Sequence, residues 1–332
     1  ILFSKNFISF KNEDSDISHL DKYNLNYLIA LAAGLGLYLE LMIIRLHSSF
    51  FQLFAFFKNI SLLSCLLGLG VGYLFGHKKL YSLKWVFPLL VIQISLMYLL
   101  KNTPFNAFLQ NPITERLAMG QSNVSGIFQF SIVYSFVILI FLSNAIIFVP
   151  LGHLVSRLML RQDKLQSYSW NLIGSLAGII LFSLLSFLWS PPALWLLVGF
   201  LIYIIFLKNL VNVLFSFVSL LLLLLIILIP QDTNKQDIYS PYQIISLQHT
   251  NSPSSPVIVK ASNLWFQNPY DLRKNILWAT YYSAPYEVVS ETPKKILIVG
   301  SGTGNDVAYA LQKGIQRIDA VEIDPVIIDI GK

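Results

Sequence analysis

The chain has 332 residues, 55% of them hydrophobic and 12% charged, where a soluble domain carries about 25% charge; that balance argues against a water-soluble fold for the whole chain. The formal net charge is +6, with the basic residues scattered between apolar runs rather than gathered on one face, so the expected partner is a lipid bilayer with anionic headgroups and not nucleic acid. The single cysteine, Cys65, lies in an apolar run; it allows no disulfide framework and no cysteine-based metal site, and reads as a small packing residue.

Residues 1–24 form a polar N-terminal segment. It opens on Ile1 with no basic leader and no cleavage site, and both ends of the chain read as cut from a longer sequence. A transmembrane helical bundle is expected over 25–230. A spanning helix needs about 20 mostly apolar residues, because each adds about 1.5 Å against a hydrocarbon layer about 30 Å thick. Seven stretches come close, at 25–44, 60–75, 85–100, 127–149, 168–188, 192–207 and 210–229, and the second, third and sixth are short. Gly68, Gly72 and Gly76 recur every four residues and Gly174 with Gly178 repeats the spacing. Such spacing lets two backbones approach where lipid supplies no hydrophobic drive for association.

Glu40 and Arg45 are the ionisable residues nearest a span interior. Close to the end of a span that closes at residue 44, they are expected to snorkel to the interface or to pair, the alternative being a functional cavity. Asn171, one turn before Gly174, reads as glue between helices. Seven spans would put Lys78, Lys79, Lys84, Arg157, Arg161, Lys164 and Lys208 on the N-terminal side, and the positive-inside rule would then leave the C-terminal part outside the cytoplasm. The cofactor chemistry below argues for the cytoplasm and is given more weight. The expectation is an integral membrane protein of a bacterial inner membrane with a cytoplasmic C-terminal part, one weak span being miscounted or an upstream span missing; the alternative is an outward-facing C-terminal part.

Hydrophobicity drops at Pro230. Residues 231–293 read as a linker and a small β-hairpin domain: a polar stretch "QDTNKQD" at 231–237, a strand in "PYQIISLQ", a turn in "NSPSSP" and a second strand in "VIVKA". An aromatic-rich stretch follows, with a helix expected over 272–282 and its rings read as core rather than cofactor box.

Residues 294–332 carry the chemistry. "ILIVG" is a continuous apolar run of the kind a parallel strand buried on both faces requires. Gly300, Gly302 and Gly304 follow, then a helix ended by Gly314, a strand "IDAVEID" and the start of another helix. This is a first βαβ with a glycine-rich turn at the carboxyl end of its strand, where open α/β sheets bind ligands. Glu322 stands twenty positions after Gly302, the spacing at which a carboxylate reaches ribose hydroxyls. The dinucleotide pattern wants a third glycine at 305, where Asn305 stands, and Asp306 occupies the helix turn that would otherwise receive a pyrophosphate. A carboxylate there repels phosphate and accepts a cation, so the expected ligand is adenosine joined to a sulfonium or amine.

The run "KKILIVGSGTGNDVAYAL", with "VEIDPVII" after it, resembles the spermidine synthase (aminopropyltransferase) branch of the S-adenosylmethionine-dependent methyltransferase fold, in its integral-membrane members. Ile298 stands where ordinary methyltransferases usually carry an acid, and "SPYQIISL" and "NLWFQ" are similar to the family's N-terminal hairpin stretches. The fold class implied is a multi-span α-helical membrane bundle, a small β-hairpin domain and the incomplete start of an α/β Rossmann-like methyltransferase fold. The resemblance matches Gly300, Ser301, Gly302, Thr303 and Gly304 to the cofactor loop, Glu322 to the ribose acid and Ile323 to the residue beside the adenine. Gln243 and Gln267 match the glutamines lining the thioether end. Thr303 stands where the family usually has an aspartate, which removes a carboxylate from beside the transferred group and departs from the pattern of spermidine synthesis itself.

The function implied is a membrane-bound transferase that moves an aminopropyl group from decarboxylated S-adenosylmethionine to a small amine, without a metal and as a possible homo-oligomer. Its catalytic acids are expected beyond Lys332, which would leave this chain inactive alone. One alternative is an S-adenosylmethionine-dependent methyltransferase acting on a lipid or small amine. Others are a transporter or channel with a regulatory nucleotide-binding domain, and a non-catalytic membrane protein whose cofactor domain has decayed.

Overall fold

The structure is a computed structural model and describes residues 17–51, 53–54, 57–78, 82–104, 126–229, 234–251, 256–262, 264–273 and 276–332. Of the features read from the sequence, residues 1–16, Lys79, residues 231–233 and residues 252–255 of the NSPSSP turn lie outside that set. The chain divides into two compact units, Ile1–Leu185 with Ser190–Ile229, and Ser186–Trp189 with Pro230–Lys332; the first is called the helical unit below and the second the C-terminal unit.

The helical unit holds α1 (Leu25–Phe50), α2 (Lys58–Leu74), α3 (Val86–Lys101), α4 (Ile127–Met159), α5 (Lys164–Phe187), α6 (Pro192–Tyr203) and α7 (Leu210–Leu228). All seven apolar stretches are therefore helical. Five are long and apolar enough to cross a membrane: α1, α3 together with the 3-10 turn ahead of it, α4, α5 and α7. Among the described residues α2 and α6 are shorter, as expected of the second and sixth stretches, whereas the third, α3, is long once the turn ahead of it is included. Asn24 starts α1 by accepting from the Asn26 amide at 2.9 Å, a helix-initiating cap. α1 is the central helix, with 67% of its apolar window buried, against 22% for α5 and α7 at the periphery.

Glycines set the tightest contacts. A Cβ on Gly68 or Gly72 of α2 would run into the Ala145 or Val149 carbonyl of α4, and one on Gly152 would meet the Leu69 backbone. Gly174 and Gly178 of α5 lie in the same way on Ala30 and Gly34 of α1. The Tyr73 hydroxyl donates to Asn171 Oδ1 at 2.9 Å and ties α2 to α5. Glu40 departs from expectation: because α1 continues to Phe50, it sits well inside the helix and is only 2% exposed, so it does not snorkel.

The C-terminal unit begins with an antiparallel sheet in the order β1 (Lys235–Tyr239), β2 (Ile244–His249), β3 (Val257–Ala261), β4 (Leu264–Gln267), with a register shift between Val259 and Lys260. β1 starts inside the stretch read as a polar linker. As an outer strand with mixed exposure it carries Lys235 and Asp237, and charge is what an edge strand tolerates and a sequence pattern hides. α8 spans Ile276–Glu287, later than the helix expected over 272–282.

β5 (Lys295–Val299), α9 (Asn305–Gln312), β6 (Arg317–Val321) and α10 (Pro325–Gly331) complete the chain. β5 and β6 pair in parallel from Lys295↔Arg317 to Val299↔Val321. This parallel sheet has two strands among the described residues. The expectation that β5 is buried on both faces fails: its exposure alternates, Leu297 and Val299 being 63% and 78% exposed, because no described element covers that face. Ile245, Val259 and Ala261 of the first sheet pack on Val326 and Ile327 of α10. That packing brings the hairpin strands to the end of β6, where the glycine turn also lies.

Candidate glycine-turn site

The turn between β5 and α9 is shaped by three alternating glycines. Gly300, Gly302 and Gly304 have φ of 72°, 56° and 88°, the left-handed region that side chains with a Cβ disfavour. Val321 O at the end of β6 accepts from the amides of Gly300 (2.8 Å) and Ser301 (3.1 Å). Glu322 closes the next step, its Oε2 accepting from Gly302 N at 3.0 Å while Oε1 accepts from Ile323 N at 2.8 Å and Asp324 N at 3.1 Å. Gln267, at the end of β4, accepts through Oε1 from Thr303 N at 2.8 Å and from the Thr303 hydroxyl at 3.0 Å. Gly304 N donates to Ser301 O at 3.0 Å.

Every amide from Gly300 to Gly304 thus already has an acceptor within the protein. A phosphate cradle needs such amides free to point at the ligand. The groups gathered at the turn are acceptors: the Glu322 carboxylate, the Gln267 carbonyl and, in the first turn of α9, Asp306. Burial pushes the Asp306 carboxyl above its ordinary value, with its own backbone hydrogen bond acting the other way. Burial, then the charges of Asp306 and Tyr309, push the Tyr286 phenol up. The arrangement suits a ligand that brings hydroxyls and positive charge.

Among the residues singled out from the sequence, the structure brings together Gly300, Ser301, Gly302, Thr303, Gly304, Gln267 and Glu322. Ser301 and Thr303 are buried, at 7% and 5% exposure. The Gln243 Nε2 reaches Asp324 Oδ2 at 3.5 Å, beside the turn's Glu322 in sequence. Ile323 is 69% exposed beside Glu322.

Two polar supports went unread in the sequence. Asp324 is fully buried; its carboxylate accepts from Ser240 Oγ at 2.7 Å and from Val326 N at 3.1 Å, capping α10 and anchoring it to the strand ends. The Asp324-Pro325 pair is itself a helix-start signal and could have revealed the cap. Asn305 is 3% exposed and donates to Asn268 O and to the Tyr282 hydroxyl, each at 2.8 Å, while accepting from Tyr270 N at 3.1 Å. It therefore holds α9 against the segment after β4. Among the described residues no group of three or more His, Cys, Asp or Glu is placed to hold a metal.

No protein-family model, no curated protein and no solved structure matches this chain.

Proposed function

We propose that the C-terminal unit binds an adenosyl sulfonium compound at its glycine turn, and that the chain is a membrane-embedded transferase of the aminopropyltransferase-like kind. In this reading β5, α9, β6 and α10 are the start of a Rossmann-like methyltransferase fold, and the five long apolar helices cross a bilayer. The observation that carries it is the amide count at the turn: with all five amides satisfied and Glu322 and Asp306 alongside, the turn is built for sugar hydroxyls and a cation and not for a pyrophosphate.

The residues divide the work by chemistry. Glu322 accepts a ribose hydroxyl through the remaining lone pair of Oε2 and keeps its bond to Gly302 N. Gln267 faces the thioether end, and Asp306 offsets the sulfonium charge. When bound, the sulfonium would supply an activated carbon: the amine nitrogen would form the new C–N bond as the C–S bond breaks and leaves a neutral thioether, with the ammonium proton passing to a base or to solvent, and the site's tasks are to orient the two and to exclude water.

Calorimetric titration of the purified full chain with decarboxylated S-adenosylmethionine, S-adenosylmethionine and NAD tests this reading. Saturable binding of a sulfonium compound, absent for NAD and weakened about tenfold or more by Glu322→Gln, is expected. Binding of NAD with neither sulfonium compound would overturn it. A second reading, a transporter regulated by its C-terminal unit, is favoured by the buried polar side chains Glu40, His47, Gln93 and Asn144 of the helical unit.

A further inference from the structure

One end of the helical unit gathers positive charge around a cavity. The 3-10 turn ahead of α3 carries Lys84, the last turn of α4 carries Arg157, and Lys208 lies between α6 and α7. The cavity there has a volume of about 90 Å³. Its polar lining is Ser82, His153, Arg157, Lys208, Asn209 and Asn212, with no carboxylate among the described lining residues. Ile17, Leu154, Phe206 and Leu207, all buried, supply an apolar part of the wall. The nearby carboxylate of Asp21 is engaged by Arg161 at 2.8 Å.

Bonds between elements fix these walls. The Tyr203 hydroxyl of α6 donates to Leu83 O at 2.6 Å and the Ser216 hydroxyl of α7 to Lys84 O at 3.5 Å, so the 3-10 turn is held against both helices. His153 of α4 is buried and its Nε2 donates to Lys78 O at 2.8 Å, the carbonyl being able only to accept. α7 begins at the cavity: Asn209 is its N-cap but makes no side-chain capping bond, and Asn212 lies in its first turn. The positive end of that helix adds to the field of Arg157 and Lys208. A water needs about 10–15 Å³ of such space, so the cavity admits a compact group of several heavy atoms.

We propose that this cavity binds one phosphate group, that of an anionic phospholipid headgroup, with Arg157 and Lys208 as countercharges and Asn209 and Asn212 as neutral donors. Guanidinium and ammonium groups are the side chains that take phosphate oxygens. Each carries several N–H donors, so a phosphate oxygen adds to the interactions that Arg157 and Lys208 make within the chain. A wall that is cationic in one part and apolar in another suits an amphiphile, whereas free phosphate would leave the apolar part uncovered. Basic pockets between membrane helices take anionic headgroups in this way. The phosphate site rests on the helical unit alone and shares no residue with the glycine turn; its lipid source rests on the reading that the long helices cross a bilayer.

The full chain in a mild neutral detergent is titrated with phosphatidylglycerol, with phosphatidylcholine and, separately, with inorganic phosphate. Native mass spectrometry counts bound lipid, and equilibrium dialysis counts bound phosphate. One saturable phosphatidylglycerol per chain is expected. Phosphatidylcholine, whose own cation meets Arg157 and Lys208, and inorganic phosphate should each bind about tenfold more weakly or worse. Arg157→Gln and Lys208→Gln each weaken phosphatidylglycerol binding about tenfold, and Lys58→Gln, at the far end of α2, leaves it unchanged. Lys208 is exposed between helices, so Lys208→Gln reads the site even if Arg157→Gln fails to fold. Inorganic phosphate binding as tightly as phosphatidylglycerol overturns the lipid source. An equal loss in Lys58→Gln reveals a general charge effect and overturns the site. So does the absence of saturable binding by any of the three probes, or undiminished binding in every variant that folds.

Discussion

Gly302 has φ of 56°, and a Cβ there would land on Gln267 Oε1. Gly302→Ala is therefore penalised twice, once by a left-handed backbone, about 1–2 kcal/mol, and again by displacing the glutamine that holds Thr303. The two penalties separate in a double-mutant cycle: Gln267→Ala in the Gly302→Ala background removes the collision and leaves the backbone cost. Denaturant unfolding of the four proteins should show destabilisation smaller than the sum of the single changes. Asp306 gives a second residue-scale test. Burial holds its folded pKa above the ordinary 3.8, so from that pH upward the native chain retains a proton that the unfolded chain has released, and stability falls as pH rises through the folded value. Asp306→Asn removes that penalty. It should raise the unfolding midpoint of the C-terminal unit at neutral pH, and the advantage should vanish as pH is lowered below 3.8. A constant advantage at every pH would show that the carboxylate's charge is not the cause.

Elements reveal where sequence patterns carry information and where they do not. Four-residue glycine spacing on α2 was legible as a close helix contact, but not its partner, because α4 meets α2 through backbone carbonyls at Ala145 and Val149 that have no sequence signature. The same helix supplies an internal control. Gly72 is blocked by the Val149 carbonyl, whereas a Cβ on Gly70 would meet nothing within 4 Å. Gly72→Ala should cost about 1–3 kcal/mol through overpacking, and Gly70→Ala should be neutral or slightly stabilising, since alanine favours the helix; thermal unfolding in detergent ranks the two. Lengths were less legible than existence. All seven apolar stretches are helices, yet α1 runs to Phe50, and those added turns move Glu40 from an expected interface to the interior. β1 was missed because Lys235 and Asp237 look like linker, and only pairing with β2 makes them a strand.

At the scale of the whole molecule, the site was legible to the extent that its parts are local. Gly302 and Glu322 are separated by one strand and one helix of regular length, so spacing alone brought them together. Bonds from Asp324 to Ser240 and to Gln243 cross 84 and 81 positions, and no single-sequence pattern reaches that far. The division into two compact units makes a further expectation testable. A ligand that binds only the native form of one unit stabilises that unit by mass action, about 2.7 kcal/mol at a hundred times its dissociation constant. Calorimetric scans of the full chain should therefore resolve two transitions, of which one responds to a sulfonium ligand. An adenosyl sulfonium compound should raise only the transition of the C-terminal unit. Glu322→Gln should silence that response and leave the transition of the helical unit where it is. If the ligand moves both transitions together, the units unfold as one, and the assignment must then be read from direct binding instead.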